Sequence, residues 1–323
     1  MKLATYKDGS RDGQLVVVSR DLSTAHYATG IADTLQQVLD DWNFIAPQLQ
    51  DLSVTLNQGR ARHAFAFDPR MCMAPLPRAI QWVTGEDTRS AVRGTEAVPP
   101  SLVVCGGDAL RGPTADLVLT SDSLGADIGA GLAAMVDDIP QGAPPARALE
   151  GIRLMALSAE TVLHQCLPQE GAPSAGVPLA RPDTAFSPVA VTPDEWGEAW
   201  HAGRVHLVLQ STLNGRKMGM LDATDMAWSF AELLSCLARG RPLQAGTIVG
   251  SGIWRHPAQP GDGAPTWPRG HGCLAHRRAA EIRLHGQAIS NYLTWGDEVL
   301  IDMKGADGMS VCGAIHRVVR SAG

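Results

Sequence analysis

No part of this chain says more about its architecture than Asp183-Thr184-Ala185-Phe186-Ser187-Pro188-Val189-Ala190-Val191-Thr192-Pro193-Asp194-Glu195, read together with Leu243-Gln244-Ala245-Gly246-Thr247-Ile248-Val249-Gly250-Ser251-Gly252. In the first, Thr192-Pro193-Asp194-Glu195 has the spacing of a capping box ahead of a short helix. In the second, Gly250-Ser251-Gly252 matches no dinucleotide fingerprint, Walker loop or nucleophile elbow, and neither does Gly129-Ala130-Gly131. Both glycine runs read as turns or close-packing positions.

Working outward, β-prone runs at Leu3 to Tyr6 and Gln14 to Ser19 flank a turn-rich segment and predict a hairpin. Two helices follow: Asp33 is placed to cap one carrying Leu35, Val38, Leu39 and Trp42 on a face, and Pro47 to open a second that Gly59 ends. Asn214-Gly215 between Val205–Leu213 and Arg216–Met220 signals another hairpin, because this dipeptide accepts positive φ. Asp225 is expected to cap a helix bearing Phe230, Leu233, Leu234 and Leu237, with Gly240 beyond it. Glu298–Met303 and Met309–Val319 form a last strand pair. Segments 141–145, 171–178 and 257–265, rich in Gly, Pro and Ala, read as loops. The pattern predicts an α+β, mainly β fold, divided at the Pro-containing link near Ala74-Pro75-Leu76-Pro77 into an N-terminal appendage (1–75) and a larger domain (76–323).

With 323 residues, 45% hydrophobic and 19% charged, the chain is large enough for a substantial core. The net charge of −6 is spread without a basic face, which argues against nucleic acid and for small-molecule partners. No apolar run reaches the ~18 residues of a membrane span, and Met1 to Asp12 lacks the apolar centre of an export signal, so no membrane association and a cytoplasmic location are expected. The six cysteines have no C-x-x-C pairing and are expected as free thiols.

The quoted motifs, strongest over Met1–Phe67 and Asp183–Gly252, resemble the fumarylacetoacetate hydrolase (FAH) family, whose rolled mixed β-sheet with a small N-terminal α/β appendage is then the expected fold. The resemblance implies a Mg²⁺ or Ca²⁺ held by four carboxylates, since such hard ions need oxygen ligands, and it implies homodimers acting on keto or enol acids. This chain departs from that pattern. The family's two strand glutamates fall on Gly129 and Gly131 of Gly125-Ala126-Asp127-Ile128-Gly129-Ala130-Gly131, and its first ligand falls on Thr84 of Gln81-Trp82-Val83-Thr84-Gly85. The remaining ligand falls near Glu160. Arg181 stands where the family has lysine, Ile253 follows Gly252 in place of a threonine, and His276 replaces an acidic residue.

The surviving polar groups define the candidate site: Glu160, His276, Cys273 and His271 for acid/base or nucleophilic chemistry, and Arg181, His164, Gly252 and Ile253 for binding substrate. An arginine offers a forked donor to a substrate carboxylate, and a histidine near neutral pKa can exchange a proton with an enol. Cys273 beside His271 or His276 has the make-up of an activated thiol, but His256, His271, Cys273 and His276 lack the spacing of a known zinc site. The expected function is therefore metal-independent acid/base chemistry on a small anionic keto or enol acid (tautomerisation, cyclisation, dehydration, decarboxylation or C–C cleavage), in a specialised biosynthetic setting and without a cofactor. Two alternatives stand beside it. One is a non-catalytic member or silent partner of an active paralogue. The other is a conventional Mg²⁺ or Ca²⁺ hydrolase whose site is rebuilt from Glu86, Asp87, Asp127 and Glu160.

Overall fold

Alternation along the strands sorts the core into two halves. In neighbouring pairs such as Leu3 and Ala4, Val17 and Val16, Met135 and Ala134, and Ile248 and Val249, the first member packs in one buried cluster and the second in another, as period-two strands covered on both faces require. The computed structural model describes residues 1–86, 99–167, 177–255, 258–259 and 264–323.

The chain runs β1 (Lys2–Tyr6), β2 (Gln14–Val18), β3 (Thr24–Tyr27), α1 (Leu35–Asp40), α2 (Trp42–Asn57), β4 (Phe65–Ala66), β5 (Gln81–Glu86), β6 (Ser101–Cys105), β7 (Leu110–Arg111), β8 (Leu117–Leu119), β9 (Ala126–Val136), α3 (Pro145–Leu149), β10 (Ile152–Leu163), α4 (Val177–Ala180), β11 (Thr184–Phe186) and β12 (Ala190–Val191). It continues through β13 (Trp200–His201), β14 (Arg204–Val205), β15 (Val208–Leu213), β16 (Arg216–Asp222), α5 (Phe230–Leu237), β17 (Thr247–Gly250), α6 (Leu274–His285), β18 (Glu298–Met303) and β19 (Ile315–Ser321).

The 12-stranded mixed sheet has the path β4-β3-β2-β1-β12-β10-β9-β17-β5-β6, with β11 and β7 branching from β10. A 5-stranded sheet, β16-β15-β18-β19-β8, contributes Leu209, Val299, Ile301 and Val319 to the cluster on one face. Helices α1 and α2 cover the opposite face through Leu35, Val38, Leu39 and Leu49. The expected mainly β, mixed-sheet fold with a small N-terminal part is what the chain adopts. The N-terminal strands enter the same sheet, β1 pairing with β12 at Lys2↔Val191 and Leu3↔Ala190.

Local expectations fare unevenly. The first hairpin forms in register from Lys2↔Val18 to Tyr6↔Gln14, and Asn214 and Gly215 turn β15 into β16 with φ of 50° and 71°. Caps are misassigned by a few residues. Thr34, not Asp33, caps α1 in a box with Gln37. Ser229, not Asp225, caps α5 in a box with Glu232. Pro47 lies inside α2, which begins at Trp42. Thr192 makes no side-chain cap bond to the 3-10 segment Pro193–Ala199, because its hydroxyl lies 2.6 Å from the Met1 ammonium, which also meets Glu195 at 3.0 Å. The last strand starts at Ile315 rather than Met309.

Candidate active site

The helix-covered face of the sheet turns polar at one end. Continuing with period two from the buried Trp82, Ile248, Ala133 and Ala156 leads to Thr84 on β5, Gly250 on β17, Gly131, Gly129 and Asp127 on β9, and Ser158 and Glu160 on β10. Glu160 stands between Gly129 and Thr184 in the ladder. Thr184 accepts the indole N–H of Trp82 at 3.1 Å, which ties the 183–195 stretch to β5.

The carboxylate of Glu160 is only 2% exposed. Its Oε1 accepts the Thr84 hydroxyl at 2.7 Å and its Oε2 accepts Arg181 Nη1 at 2.9 Å. Arg181, two residues before Asp183, also reaches Glu86 Oε1 through Nη2 at 3.2 Å. Burial pushes the Glu160 carboxyl up from its ordinary value, outweighing the Arg181 charge and the Thr84 hydrogen bond. Among the described residues, Thr84, Glu160, Arg181 and Glu86 thus form one chain from the interior to a half-exposed carboxylate.

Both glycines of β9 are filled over. A Cβ on Gly129 would lie 2.1 Å from Ile253 Cδ1, and one on Gly131 would lie 2.7 Å from the Gly252 carbonyl oxygen. Gly252 itself, at φ +75°, approaches Gly85 so closely that its own Cβ would sit 2.1 Å from that residue's oxygen. The 251–253 segment therefore presses onto the strand face where the resemblance expects two metal-binding side chains. Among the described residues no group of three or more His, Cys, Asp or Glu side chains is arranged to hold a metal. Both buried carboxylates of β9 and β10 on this face are already committed, Glu160 to a guanidinium and Asp127 to backbone amides of α6. This donor set does not fit a hard divalent cation.

Asp127 shares the strand face, but its oxygens go elsewhere, accepting the amides of Leu274 at 2.9 Å and Ala275 at 2.8 Å in the first turn of α6. Burial works against its charge, yet the His164 contact and the two amides prevail and hold it below the usual carboxylate value. His164 Nε2 lies 3.4 Å from Asp127 Oδ2, and the ring stacks on Tyr292 with centroids 4.7 Å apart. Arg278 covers the same Tyr292 ring at 4.4 Å. His164 is thus an interior partner of Asp127 rather than a ligand of Glu160.

The other candidates separate as well. Cys273 is the N-cap residue of α6 and buried, and burial followed by the Asp127 charge pushes its thiol well above the ordinary value. This is the reverse of an activated nucleophile. His276 is half-buried in the first turn of α6. His271 packs against Trp267 at 5.7 Å with its amide on the Met218 carbonyl, and burial and Arg277 lower its pKa. Glu160 and Arg181 bond instead to Thr84, to each other and to Glu86. Of the residues proposed for a rebuilt metal site, Glu86 is committed to Arg181, Asp127 to α6, and Asp87 lies outside the described residues, as does His256.

The sequence reading missed one strong pair. Arg317, 1% exposed, binds Asp183 through both terminal nitrogens, at 2.9 and 2.8 Å, while Thr161 donates to the same carboxylate at 2.5 Å. Its signal was present: Ile315, Arg317 and Val319 share the inward parity of β19.

Comparison with known proteins agrees with this architecture. The family model described as Fumarylacetoacetase N-terminal domain 2 matches residues 1–78, and the one described as Fumarylacetoacetate (FAA) hydrolase C-terminal matches residues 82–308. The chain belongs to the fumarylacetoacetate hydrolase family. Among solved structures it is similar to the fumarylacetoacetate hydrolase of Exiguobacterium antarcticum, at 16% identity over 99% of both chains with a TM-score of 0.66. It is also similar to the maleylpyruvate hydrolase of Sphingobium sp. SYK-6 in complex with manganese (II) ion and pyruvate, at 14% identity over 100% of both chains with a TM-score of 0.66. A third likeness is the 2-hydroxyhepta-2,4-diene-1,7-dioate isomerase of Mycobacterium marinum, at 14% identity over 100% of this chain and 99% of that one, with a TM-score of 0.62. At these identities the likeness concerns the fold. Comparison with curated protein sequences gives no match.

Proposed function

We propose that this chain is a metal-independent member of its family that binds a small keto or enol carboxylic acid at Arg181 and moves a proton with Glu160. The observation that carries this reading is the Thr84–Glu160–Arg181–Glu86 chain. Glu86 is the exchangeable end: its side chain is 42% exposed, whereas that of Arg181 is 13% exposed and that of Glu160 2%. A substrate carboxylate that displaces Glu86 takes over Nη2 and draws the guanidinium toward itself. Glu160 then loses part of its counter-charge in a buried setting, and its proton affinity rises further. Substrate binding thereby primes the carboxyl to protonate an enol carbon while the enol hydroxyl gives up its proton to solvent water as the carbonyl forms. In reverse it accepts the proton of a keto α-carbon while water protonates the enolate oxygen, with Thr84 holding its other oxygen. The relatives named as hydrolases and an isomerase of small acids support the substrate class.

The test is enol–keto interconversion of a panel of 2-keto acids, followed by enol absorbance after exhaustive EDTA treatment. The expected result is turnover that survives EDTA and falls by about 100-fold or more in Glu160→Gln. Strict dependence on added Mg²⁺ or Mn²⁺, or an unaffected Glu160→Gln variant, would sink the proposal.

A second reading, a non-catalytic binding member or silent partner of an active paralogue, is favoured by Ile253, whose side chain fills the space above Gly129. Saturable binding of a keto acid without turnover, alone or with the paralogue added, would select it.

A further inference from the structure

Lysine is among the residues least expected inside a sheet, yet β1 carries one there: Lys2 is 3% exposed. It pairs with Val18 of β2 on one side and Val191 of β12 on the other. By strand alternation its side chain leaves β1 on the side of Ala4 and Tyr6, opposite the helix-covered face that carries Glu160. The Lys2 amine is therefore no part of the Glu160 chain.

Its Nζ donates to the Val311 carbonyl at 2.6 Å. That acceptor is held in place. The Val311 amide donates to the Met303 carbonyl at 3.0 Å, and the Ser310 hydroxyl, which donates to Asp302 at 2.5 Å, accepts the Gly313 amide at 2.9 Å. Among the described residues no carboxylate lies within ion-pair distance of Nζ. Glu195 is taken by the Met1 ammonium and by Arg20 at 3.0 and 3.1 Å, and Asp307 Oδ1 accepts the Met309 amide at 2.9 Å. Burial lowers the Lys2 pKa from its ordinary value, outweighing the Cys312 and Glu195 charges that would raise it.

Lys2 forms part of the wall of a cavity of about 480 Å³, with Trp196, Leu207, Met309 and Val311 as apolar neighbours. In the same wall the buried Trp196 indole N–H makes no hydrogen bond among the described residues. This wall thus holds two donors short of an acceptor, that N–H and a second N–H of Lys2. The rim is acidic: Asp194, Glu198 and Asp307 are exposed, and the rim cation Arg20 is paired with Glu195.

We infer that this cavity captures a small uncharged aldehyde as an imine of Lys2. With one N–H on the Val311 carbonyl, a neutral amine keeps its lone pair for the aldehyde carbon. A C–N bond forms as the C=O pair moves onto oxygen; that oxygen then leaves as water, carrying both amine hydrogens, and C=N remains. Nothing is oxidised or reduced. The apolar wall suits an alkyl group, and the acidic rim disfavours carbonyl compounds that bear a carboxylate. This separates the site from the keto-acid chemistry proposed at Arg181.

Reductive trapping tests the inference. The full chain is treated at pH 7 with propionaldehyde or glyoxylate and sodium cyanoborohydride, which reduces an imine to a stable secondary amine, and labelled peptides are followed by mass spectrometry, with fragment ions separating Lys2 from Met1. The chain's other lysines, Lys7, Lys217 and Lys304, are exposed and serve as internal references. Propionaldehyde is expected to label Lys2 about tenfold or more faster than these three, because an exposed lysine is almost wholly protonated at this pH. Glyoxylate is expected to label Lys2 more slowly than propionaldehyde does, and 8 M urea to abolish the preference for Lys2. Lys2 left unmodified, modified no faster than the exposed lysines, modified only in urea, or modified as readily by glyoxylate overturns the inference.

Discussion

The side chain of Ile253 occupies the place of a side chain on Gly129: a Cβ added there would meet Ile253 Cδ1, Cγ1 and Cγ2 at 2.1, 2.3 and 2.8 Å. Three atoms of one branched residue cannot all yield by a small rotation. Gly129→Ala is therefore expected to destabilise the protein by about 1–3 kcal/mol through overpacking. Combining it with Ile253→Ala should lose clearly less than the sum of the two single changes, because each makes room for the other. Urea unfolding of the four proteins checks this, and strict additivity would show that the two residues do not share the space.

The same pair shows how far the sequence could be read. Gly129 and Gly131 stand out as departures from the family's pattern by residue type alone, and hairpins show through Asn214-Gly215 because the turn chemistry is local. What occupies the vacated space is non-local: Ile253 lies over 120 positions downstream and reaches β9 only because Gly252 and Gly85 permit close backbone approach. The grouping of His164 with Asp127 and Tyr292, instead of with Glu160, depends on where α6 docks. Caps slipped for a related reason. Asp33, Thr34, Asp225 and Ser229 are all competent oxygens, and the partner three residues on decides between them: Gln37 for Thr34 and Glu232 for Ser229.

Glu160 should leave a signature in the pH dependence of stability. Burial raises its carboxyl above 4.5 in the fold, so the folded chain binds this proton more tightly than the unfolded chain does. The resulting stabilisation is complete below pH 4.5 and is lost as pH rises through the folded pKa. Glu160→Gln keeps an acceptor for Thr84 and removes the titration. The stability of the variant relative to the wild type is expected to increase from pH 4.5 upward; a difference that stays constant to pH 8 would contradict the assignment.

Asp183 runs the other way. Burial opposes its charge, but the Arg317 charge and hydrogen bonds with the Thr161 hydroxyl hold it below 3.8. Its contribution is present above pH 3.8 and is lost as pH falls through the folded pKa. Because Arg317 is 1% exposed, Asp183→Asn leaves a buried guanidinium without its counter-ion and should cost about 3–5 kcal/mol at neutral pH. The cost should shrink in acid, where the wild-type carboxyl is itself protonated. Chemical denaturation of both proteins at pH 7 and at a series of pH values falling from 3.8 reads the difference.

Cysteine reactivity offers a check on the architecture around α6. Cys273 sits at the cap of that helix, a position that lowers a thiol pKa when the group is open to solvent. Here it is buried beside Asp127, whose oxygens already take the Leu274 and Ala275 amides, and its pKa is pushed up. Cys166 and Cys236 are half-buried and so should react with iodoacetamide at pH 7.5 well before Cys273. Asp127→Ala removes the group that fixes the first turn of α6, at a cost of about 1–2 kcal/mol. In that variant the turn frays, amide exchange at Leu274 and Ala275 accelerates, and Cys273 becomes labelled. Peptide mapping after timed alkylation follows both proteins, and rapid modification of Cys273 in the wild type would show that Asp127 does not hold this helix end in place.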